Sequence, residues 1–458
     1  MAKLISTNPG KNYEVVGEVE ISTNDEIKQK VLDANSAKLA WKQLGMTMRI
    51  ELIKQVAQEF IKRQEEIILL ITKEMGKPID EARSEVIEFS DEMEGFYKWA
   101  KIALTDEVTH EDEDSKHTII YEPWGTVAAI TPWNFPFEMF VWATFPNLIA
   151  GNTVVFKMSE ECAVLGKLIE EVMSNSVLPK GVFSSVHGAG DVGATLVDQN
   201  IDMIWFTGST RTGQVLYKKA ADKFIKAMLE MGGSNPGVVF EDVSPQEIAE
   251  HLYVKRFKNC GQICMSMKRL IVHESIFKET VEELKKQILT KKVGYPENKD
   301  TDIGSLAAKR QLDLLIEQVN DAEDKGAKVE VGGKPFTEID GAYYSPTLLT
   351  NINPEMKVWH EEVFGPVLSV VSFKTESEAI KLANDTIYGL GAVVFSKEKL
   401  RANRVAKLID AGSVEVNGAS RWKECNPFGG YKKSGMGREH GIIGFRELAQ
   451  VKVISEKK

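Results

Sequence analysis

"TVVFKMSEECAVLGKLIEEVMSNSVLPKGVFSSV", residues 153–186, sets two β-rich runs, 153–157 and 181–186, on either side of a helical stretch, 160–176. The middle segment repeats its apolar residues at spacings of three and four, the period of a half-buried helix. Strand, helix and strand in that order imply a crossover, and hence a parallel sheet with helices on its faces. The pattern continues outward in both directions, with β-rich runs at 126–131, 203–208 and 237–240 and a helical stretch at 210–224. A second series follows, with β-rich runs at 269–274, 367–373, 391–396 and 411–418 and helices between them. The first hundred residues read as helices, chiefly 24–43 and 49–76, the latter closed by Gly76. Two stretches fit neither series: an acidic loop running into a strand, 109–123, and an alternating tail, 449–458. No Pro/Ser/Gly linker separates the two series, so two α/β lobes are expected to pack together.

The bulk properties agree. The chain has 458 residues, and single domains usually hold about 100–200. Its 43% hydrophobic and 27% charged residues are those of an ordinary globular protein. A formal net charge of −10 argues against nucleic-acid binding, which needs clustered Lys and Arg. Four cysteines in so long a chain suit a reducing compartment rather than a disulfide scaffold. The first ten residues carry no apolar signal core. The longest apolar stretch, 139–151, is interrupted by Pro146 and Asn147 and falls short of the ~18–20 residues of a membrane span. A cytoplasmic protein with no membrane partner is expected.

Several stretches carry side chains suited to chemistry. "FKNCGQICMSMKR", 257–269, holds Cys260 and Cys264. No second CxxC or HxxxH accompanies them, so no metal site is expected. Cys264 follows the loop-forming pair Gly261-Gln262, where a thiol can face a cleft; Cys260 reads as core at the end of a helix starting near Pro245. "ITPWNFPFEMF", 130–140, brackets Asn134 between two prolines just after a strand. Its amide either lines an oxyanion site or caps a helix starting at Phe135 or Pro136. Glu230 ends an apolar strand before Gly232-Gly233. It is either a general base of raised pKa or half of a salt bridge. Gly188, Gly190 and Gly193 have G-x-G-x-x-G spacing, a weak signal alone. Gly208 and Gly213 mark another strand-to-helix turn whose amides can hold a pyrophosphate. Lys157 and Glu160 follow a strand and either bind ribose hydroxyls or are plain surface charges.

Taken together, "TPWNFP" (131–136), "GNTVVFKMSE" (151–160), "FTGST" (206–210), "LEMGG" (229–233), "FKNCGQIC" (257–264), "EEVFGPVL" (361–368), "ANDTIYGLGA" (383–392) and "NPFGGYKKSGMGREHG" (426–441) resemble the aldehyde dehydrogenase superfamily. The resemblance spans nearly the whole chain. It implies the α/β aldehyde dehydrogenase fold: a Rossmann-like NAD(P)-binding domain (1–107 and 124–231), an α/β catalytic domain (232–432) and a small oligomerisation β-element (108–123 and 446–458). It implies oxidation of an aldehyde to an acid with NAD, NADP being possible, in a homodimer or homotetramer. By this resemblance Cys264 is the nucleophile, Asn134 and the Cys264 backbone N–H form the oxyanion hole, and Glu230 is the base. Lys157 and Glu160 hold the adenosine ribose, Gly208 and Ser209 meet the pyrophosphate, Glu362 holds the nicotinamide ribose, and Phe364 packs near the ring with Trp133 close by. The family often has Pro where Met158 stands, which touches only the shape of that loop.

The same resemblance places Phe135, Met139, Trp142, Ile263, Met265, Arg421, Trp422 and Phe428 along the substrate tunnel. Related succinate-semialdehyde dehydrogenases typically carry Arg eight residues past the oxyanion Asn; here that position is Trp142. An apolar tunnel favours aliphatic or aromatic aldehydes. A semialdehyde remains the alternative through Arg269 or Arg421, and a non-redox thiol esterase is a more remote one. CoA-acylating relatives normally lack the base, so Glu230 favours hydrolysis.

Overall fold

The computed structural model describes residues 2–420 and 422–458. The chain opens not with a helix but with an antiparallel hairpin, β1 (Lys3–Asn8) and β2 (Glu14–Glu20). Helices α1 (Asn24–Gln43), α2 (Met46–Lys62), α3 (Gln64–Met75), α4 (Ile79–Ile87) and α5 (Phe89–Ala103) follow. The stretch expected as one helix, 49–76, is two, because Arg63 leaves helical geometry between α2 and α3. Gly76 closes α3 in the left-handed conformation at φ 77°, as a C-cap glycine does. The hairpin is tied down by one buried carboxylate: Glu74 of α3 accepts from Ser6 Oγ at 2.5 Å and from the N–H groups of Val164 and Leu165 at 2.8 Å.

After β3 (Glu107–Glu111) and β4 (Ser115–Pro123) the chain alternates β5 (Thr126–Ile130), α6 (Pro136–Ala150), β6 (Thr153–Lys157), α7 (Ala163–Ser174), β7 (Phe183–Ser185), α8 (Gly190–Asp198), β8 (Met203–Thr207), α9 (Thr210–Lys223) and β9 (Lys226–Glu230). These strands lie parallel in the order β9-β8-β5-β6-β7. The chain therefore builds outward from β5 to β7 and returns to the other side of β5 with β8. Ligands of doubly wound sheets bind beyond the carboxyl ends of the strands at such a reversal. Every residue of α6 except Glu138 is buried, so this helix runs through the core and presents no polar face.

The second sheet has seven strands: β10 (Asn235–Val239), β11 (Met267–His273), β12 (Lys328–Val331), β13 (Thr347–Thr350), β14 (Val367–Phe373), β15 (Gly391–Phe395) and β16 (Ser413–Val416). Its order is β12-β13-β14-β11-β10-β15-β16, parallel except at edge strand β12. Helix α10 (Pro245–Phe257) connects β10 toward β11. Strand β17 (Gly435–Met436) crosses back to pair with β9, which makes the first sheet six-stranded. The last strand, β18 (Ala449–Lys457), pairs with β4 in an outlying sheet ordered β18-β4-β3. Cys260 is not on a helix contiguous with α10. That helix stops at Phe257, and Asn259, Cys260 and Gly261 then take left-handed φ values of 54°, 53° and 70°. Cys260 is nonetheless buried, as a core thiol should be.

Candidate active site

Four strands of the first sheet deliver a site residue at or just past their carboxyl ends. Asn134 follows β5, Lys157 ends β6, Gly208 and Ser209 follow β8, and Glu230 ends β9. The loop that carries Cys264, 258–266, enters the same region from the second sheet.

Asn134 does not cap α6; Phe135 occupies that position, and its own side chain makes no cap hydrogen bond. The Asn134 amide Nδ2 instead donates to the Gln262 carbonyl at 3.1 Å, and its own carbonyl accepts from Asn259 Nδ2 at 2.9 Å. The strained loop is stitched from both sides. Arg256, fully buried, donates to Ser266 Oγ at 2.8 Å, to the carbonyls of Val367 and Val363 at 2.7 and 3.1 Å, and to that of Gly365. A Cβ at Gly261 would run into the Gly365 carbonyl, so glycine is required there on space and on φ.

Among the four cysteines, Cys162 and Cys260 are buried, Cys425 is exposed and Cys264 is half-buried. Burial pushes the Cys162 and Cys260 thiols well up. The Cys264 carbonyl accepts from Asn235 Nδ2 and from Lys268 Nζ, both at 2.7 Å. Lys268 was not singled out in the sequence. Its wholly buried ammonium also reaches the Ile263 carbonyl at 2.9 Å and the Glu362 carboxylate at 3.3 Å. Burial lowers it to about 8, against the opposing pull of Glu362. The visible signal was its place four residues past Cys264, but only the fold shows that it turns inward.

Glu230 is buried, and neither carboxyl oxygen has a hydrogen-bond partner among the described residues. The salt-bridge reading therefore fails. Burial raises its pKa well above the carboxylate range, the nearby Glu439 raises it further, and Arg438 opposes both. Gly429 leaves the room its side chain occupies: a Cβ there would sit 2.7 Å from Glu230 Oε1. Glu439 is itself pushed up to about 8 by burial.

The residues expected to hold a cofactor fit one. Lys157 is 3% exposed, and among the described residues its Nζ makes one hydrogen bond, to the Met158 carbonyl at 3.1 Å, with Glu160 at 3.9 Å. An ammonium has three donors, and ribose hydroxyls would take the others. Ser209 is the N-cap of α9, its Oγ accepting from Thr212 N at 3.3 Å, which places helix N-terminal amides at the pyrophosphate position. Glu362 accepts from Gly233 N at 3.0 Å. Trp133 and Phe364 meet edge to face at 5.5 Å. The glycines at 188, 190 and 193 open α8 beside this region, and a Cβ at Gly193 would lie 3.4 Å from the Lys157 chain.

The tunnel residues also come together. Trp142 stacks on Trp422 at 4.8 Å and 11°, meets Phe428 at 5.6 Å, and donates its indole N–H to Glu92 at 3.1 Å. Met139 is buried with them, and Phe135 packs against the same apolar cluster. Ile263 and Met265 flank Cys264, both half-buried. His440, missed in the sequence, closes the aromatic group at 4.3 Å from Trp142, where burial lowers its pKa to about 3. Arg269 is spent elsewhere: it is buried and donates to the carbonyls of Ser234, Leu382 and Ala383 at 2.8–3.0 Å. Arg421 lies outside the described residues.

A sequence model of the aldehyde dehydrogenase family matches residues 2–454. The chain belongs to the aldehyde dehydrogenase family. As a family member it is an oxidoreductase acting on aldehydes. It is 35% identical over 459 residues to the chloroplastic betaine aldehyde dehydrogenase of Beta vulgaris, covering 98% of this chain and 92% of that one. Its structure matches the crystal structure of an NAD-dependent aldehyde dehydrogenase from Sinorhizobium meliloti with a TM-score of 0.95 and 34% identity, over 100% of this chain and 91% of the other. It also matches betaine aldehyde dehydrogenase from Staphylococcus aureus in complex with NAD+, with a TM-score of 0.94 and 31% identity, over 99% and 91% of the two chains. No helix among the described residues is long and apolar enough to cross a membrane.

Proposed function

We propose that this aldehyde dehydrogenase works through a thiohemiacetal and then a thioester on Cys264, with NAD as its cofactor and hydrolysis as its last step. One observation carries the reading: the half-buried thiol loop, the Asn134 amide bonded to it, and a buried Glu230 carboxyl with no hydrogen-bond partner among the described residues share one end of the first sheet. The Cys264 thiolate attacks the aldehyde carbon. The Asn134 N–H that is not given to Gln262, with the backbone N–H of Cys264, stabilises the alkoxide, each donor typically worth ~10²–10³ in rate. NAD, when bound, supplies the two-electron acceptor that turns this thiohemiacetal into the thioester. Lys157 and Glu160 hold the adenosine ribose, Gly208 and Ser209 meet the pyrophosphate, and Glu362, Phe364 and Trp133 hold the nicotinamide end. Glu230 then takes a proton from the water that cleaves the thioester, a step worth roughly 10²–10⁴-fold. Water at its oxygens supplies the missing hydrogen bonds and draws the carboxyl back toward its ionised form.

In this reading residues 1–107 and 124–231 form the cofactor domain, 232–432 the catalytic domain, and 108–123 with 446–458 a docking element for a second copy. Exposed Val108, Val451, Val453 and Ile454 on that outlying sheet support the last assignment, since apolar side chains on a free sheet favour association.

The substrate is a medium aliphatic or aromatic aldehyde. Trp142, Trp422 and Phe428 give the tunnel an apolar wall, which rewards each buried methylene with ~0.8 kcal/mol and penalises an unpaired carboxylate. Arg269, one of the two arginines that favoured a semialdehyde, is buried and gives its N–H groups to the carbonyls of Ser234, Leu382, Ala383 and Asp385. Comparing NADH formation from hexanal and from succinate semialdehyde, with NAD and with NADP, tests the proposal. Hexanal with NAD should give the highest kcat/KM. A preference for succinate semialdehyde of about tenfold, ~1.4 kcal/mol, abolished by Arg421→Ala, would replace the substrate assignment. No NADH from any aldehyde would leave the thiol esterase reading.

A further inference from the structure

Of three charged side chains in and just before α4, Lys77 and Glu85 are buried and Glu81 is half-buried, and the proposed chemistry uses none of them. Lys77 and Glu85 form an ion pair with side chains 1% and 0% exposed. Such a pair is weak grounds for stability, because desolvation offsets much of its attraction. Its second contacts are more informative. The other oxygen of Glu85 accepts from the backbone N–H groups of Phe137 and Glu138, at 3.0 and 3.2 Å. Those are among the first N–H groups of α6, which have no partner within the helix and which no side chain of α6 itself caps. The Lys77 ammonium lies 3.8 Å from the ring centroid of Phe135. Lys77 and Glu85 thus grip the chain immediately after Asn134 from both sides.

Glu81 lies one turn away on the same helix, four residues before Glu85, and so on the same face. Its Oε2 accepts from the backbone N–H of Asn259 at 2.7 Å, the first of the three left-handed residues that aim the nucleophile loop. Asn259 in turn donates to the Asn134 carbonyl at 2.9 Å, and Asn134 donates to Gln262 at 3.1 Å. The two halves of the proposed oxyanion hole come from different sheets and touch each other through only these short polar bonds and their packing. A strained backbone at such a site persists only where its surroundings over-determine it.

We infer that Glu81 and Glu85 of α4 are positioning residues that hold Asn134 and the Cys264 loop in catalytic register. Glu85, backed by Lys77, sets the Asn134 side; Glu81 sets the nucleophile side. The inference rests on the assignment of Asn134 as an oxyanion donor.

A double-mutant cycle between Glu85→Gln and Asn134→Ala tests it, read as kcat and as the rate at which iodoacetamide alkylates Cys264. Gln is isosteric, but its single carbonyl oxygen cannot serve both Lys77 and the α6 amides. Alkylation is a displacement that forms no oxyanion. Glu85→Gln should lower kcat by about tenfold, less than the ~10²–10³ lost with one oxyanion donor outright, and leave alkylation within about twofold of the parent. The double variant should be no slower than Asn134→Ala alone, because residues acting through one another are not additive. Glu81→Gln keeps an acceptor for Asn259 N–H and should recover most of the kcat that Glu81→Ala loses. Additive losses in the cycle, or a full kcat in Glu85→Gln beside an impaired Asn134→Ala, would overturn the brace. Full activity in Asn134→Ala would instead remove the oxyanion assignment, and the brace with it.

Discussion

Glu230 and Lys268 are buried ionisable groups of the candidate site, and their surroundings push both toward the neutral form. For Glu230 that suits a base which acts only once water has entered. For Lys268 it means that the charge beside Cys264 titrates near working pH. The ammonium bonds to the carbonyls of Ile263 and Cys264, and in its charged form it favours the thiolate. Lys268→Met should therefore move the pH profile of Cys264 alkylation upward, while Lys268→Arg should keep it near the parent; an unchanged profile in Lys268→Met would limit the residue to packing. The thiols themselves are separated by burial. Cys264→Ala should abolish NADH formation, and Cys260→Ala should retain most of it, measured on folded protein. At the cofactor end, Glu160 faces Lys157 at 3.9 Å and Arg310 at 4.0 Å. Its negative charge disfavours a ribose 2′-phosphate, so Glu160→Ser should shift kcat/KM toward NADP. An unmoved ratio would detach Glu160 from the ribose.

The strands were legible where their runs are short, apolar and bounded by turns, as at 153–157 and 367–373, both found as read. A parallel sheet covered on both faces has no polar side to confuse the pattern. The hairpin at 3–20 was missed because its fixing contact, Glu74, lies more than fifty residues on. The nucleophile turn was misjudged because helical spacing continues through Phe257 into residues held left-handed by tertiary contacts. Glu81, Glu85 and Lys268 look like surface charges in sequence; only the folded chain shows Glu85 and Lys268 buried and Glu81 turned onto the Asn259 backbone. The outlying sheet carries its own expectation. Val451 and Val453 of β18, two residues apart, share one face and are 62% and 58% exposed. Val453→Lys should dissociate the assembly, read by light scattering. A monomeric parent protein would contradict the docking role.

Across the whole molecule, burial raises several carboxyl pKa values: Glu81 to about 6, Glu74 to about 7, and Glu92 and Glu439 to about 8. Each has a folded pKa above its unfolded value, so the folded state binds more protons. The stability they contribute is full below the unfolded pKa and is lost as pH rises through the folded values. The Tm of the cofactor-free protein should fall between about pH 4.5, the unfolded carboxyl value, and about pH 8, the highest folded value, and Glu92→Gln should flatten the fall. A Tm that rises over that interval would contradict it. The proposed mechanism likewise draws on the whole molecule, since Asn134 and Glu230 come from the first sheet and the Cys264 loop leads into β11 of the second. Rapid mixing of Glu230→Gln with NAD and hexanal, followed by mass analysis of the Cys264 peptide, tests this division of labour most directly. The expected result is a burst of about one NADH per site, the signature of covalent catalysis with a blocked second step, and an acyl group on Cys264. Steady turnover at the parent rate, or a burst with Cys264 unmodified, would contradict it.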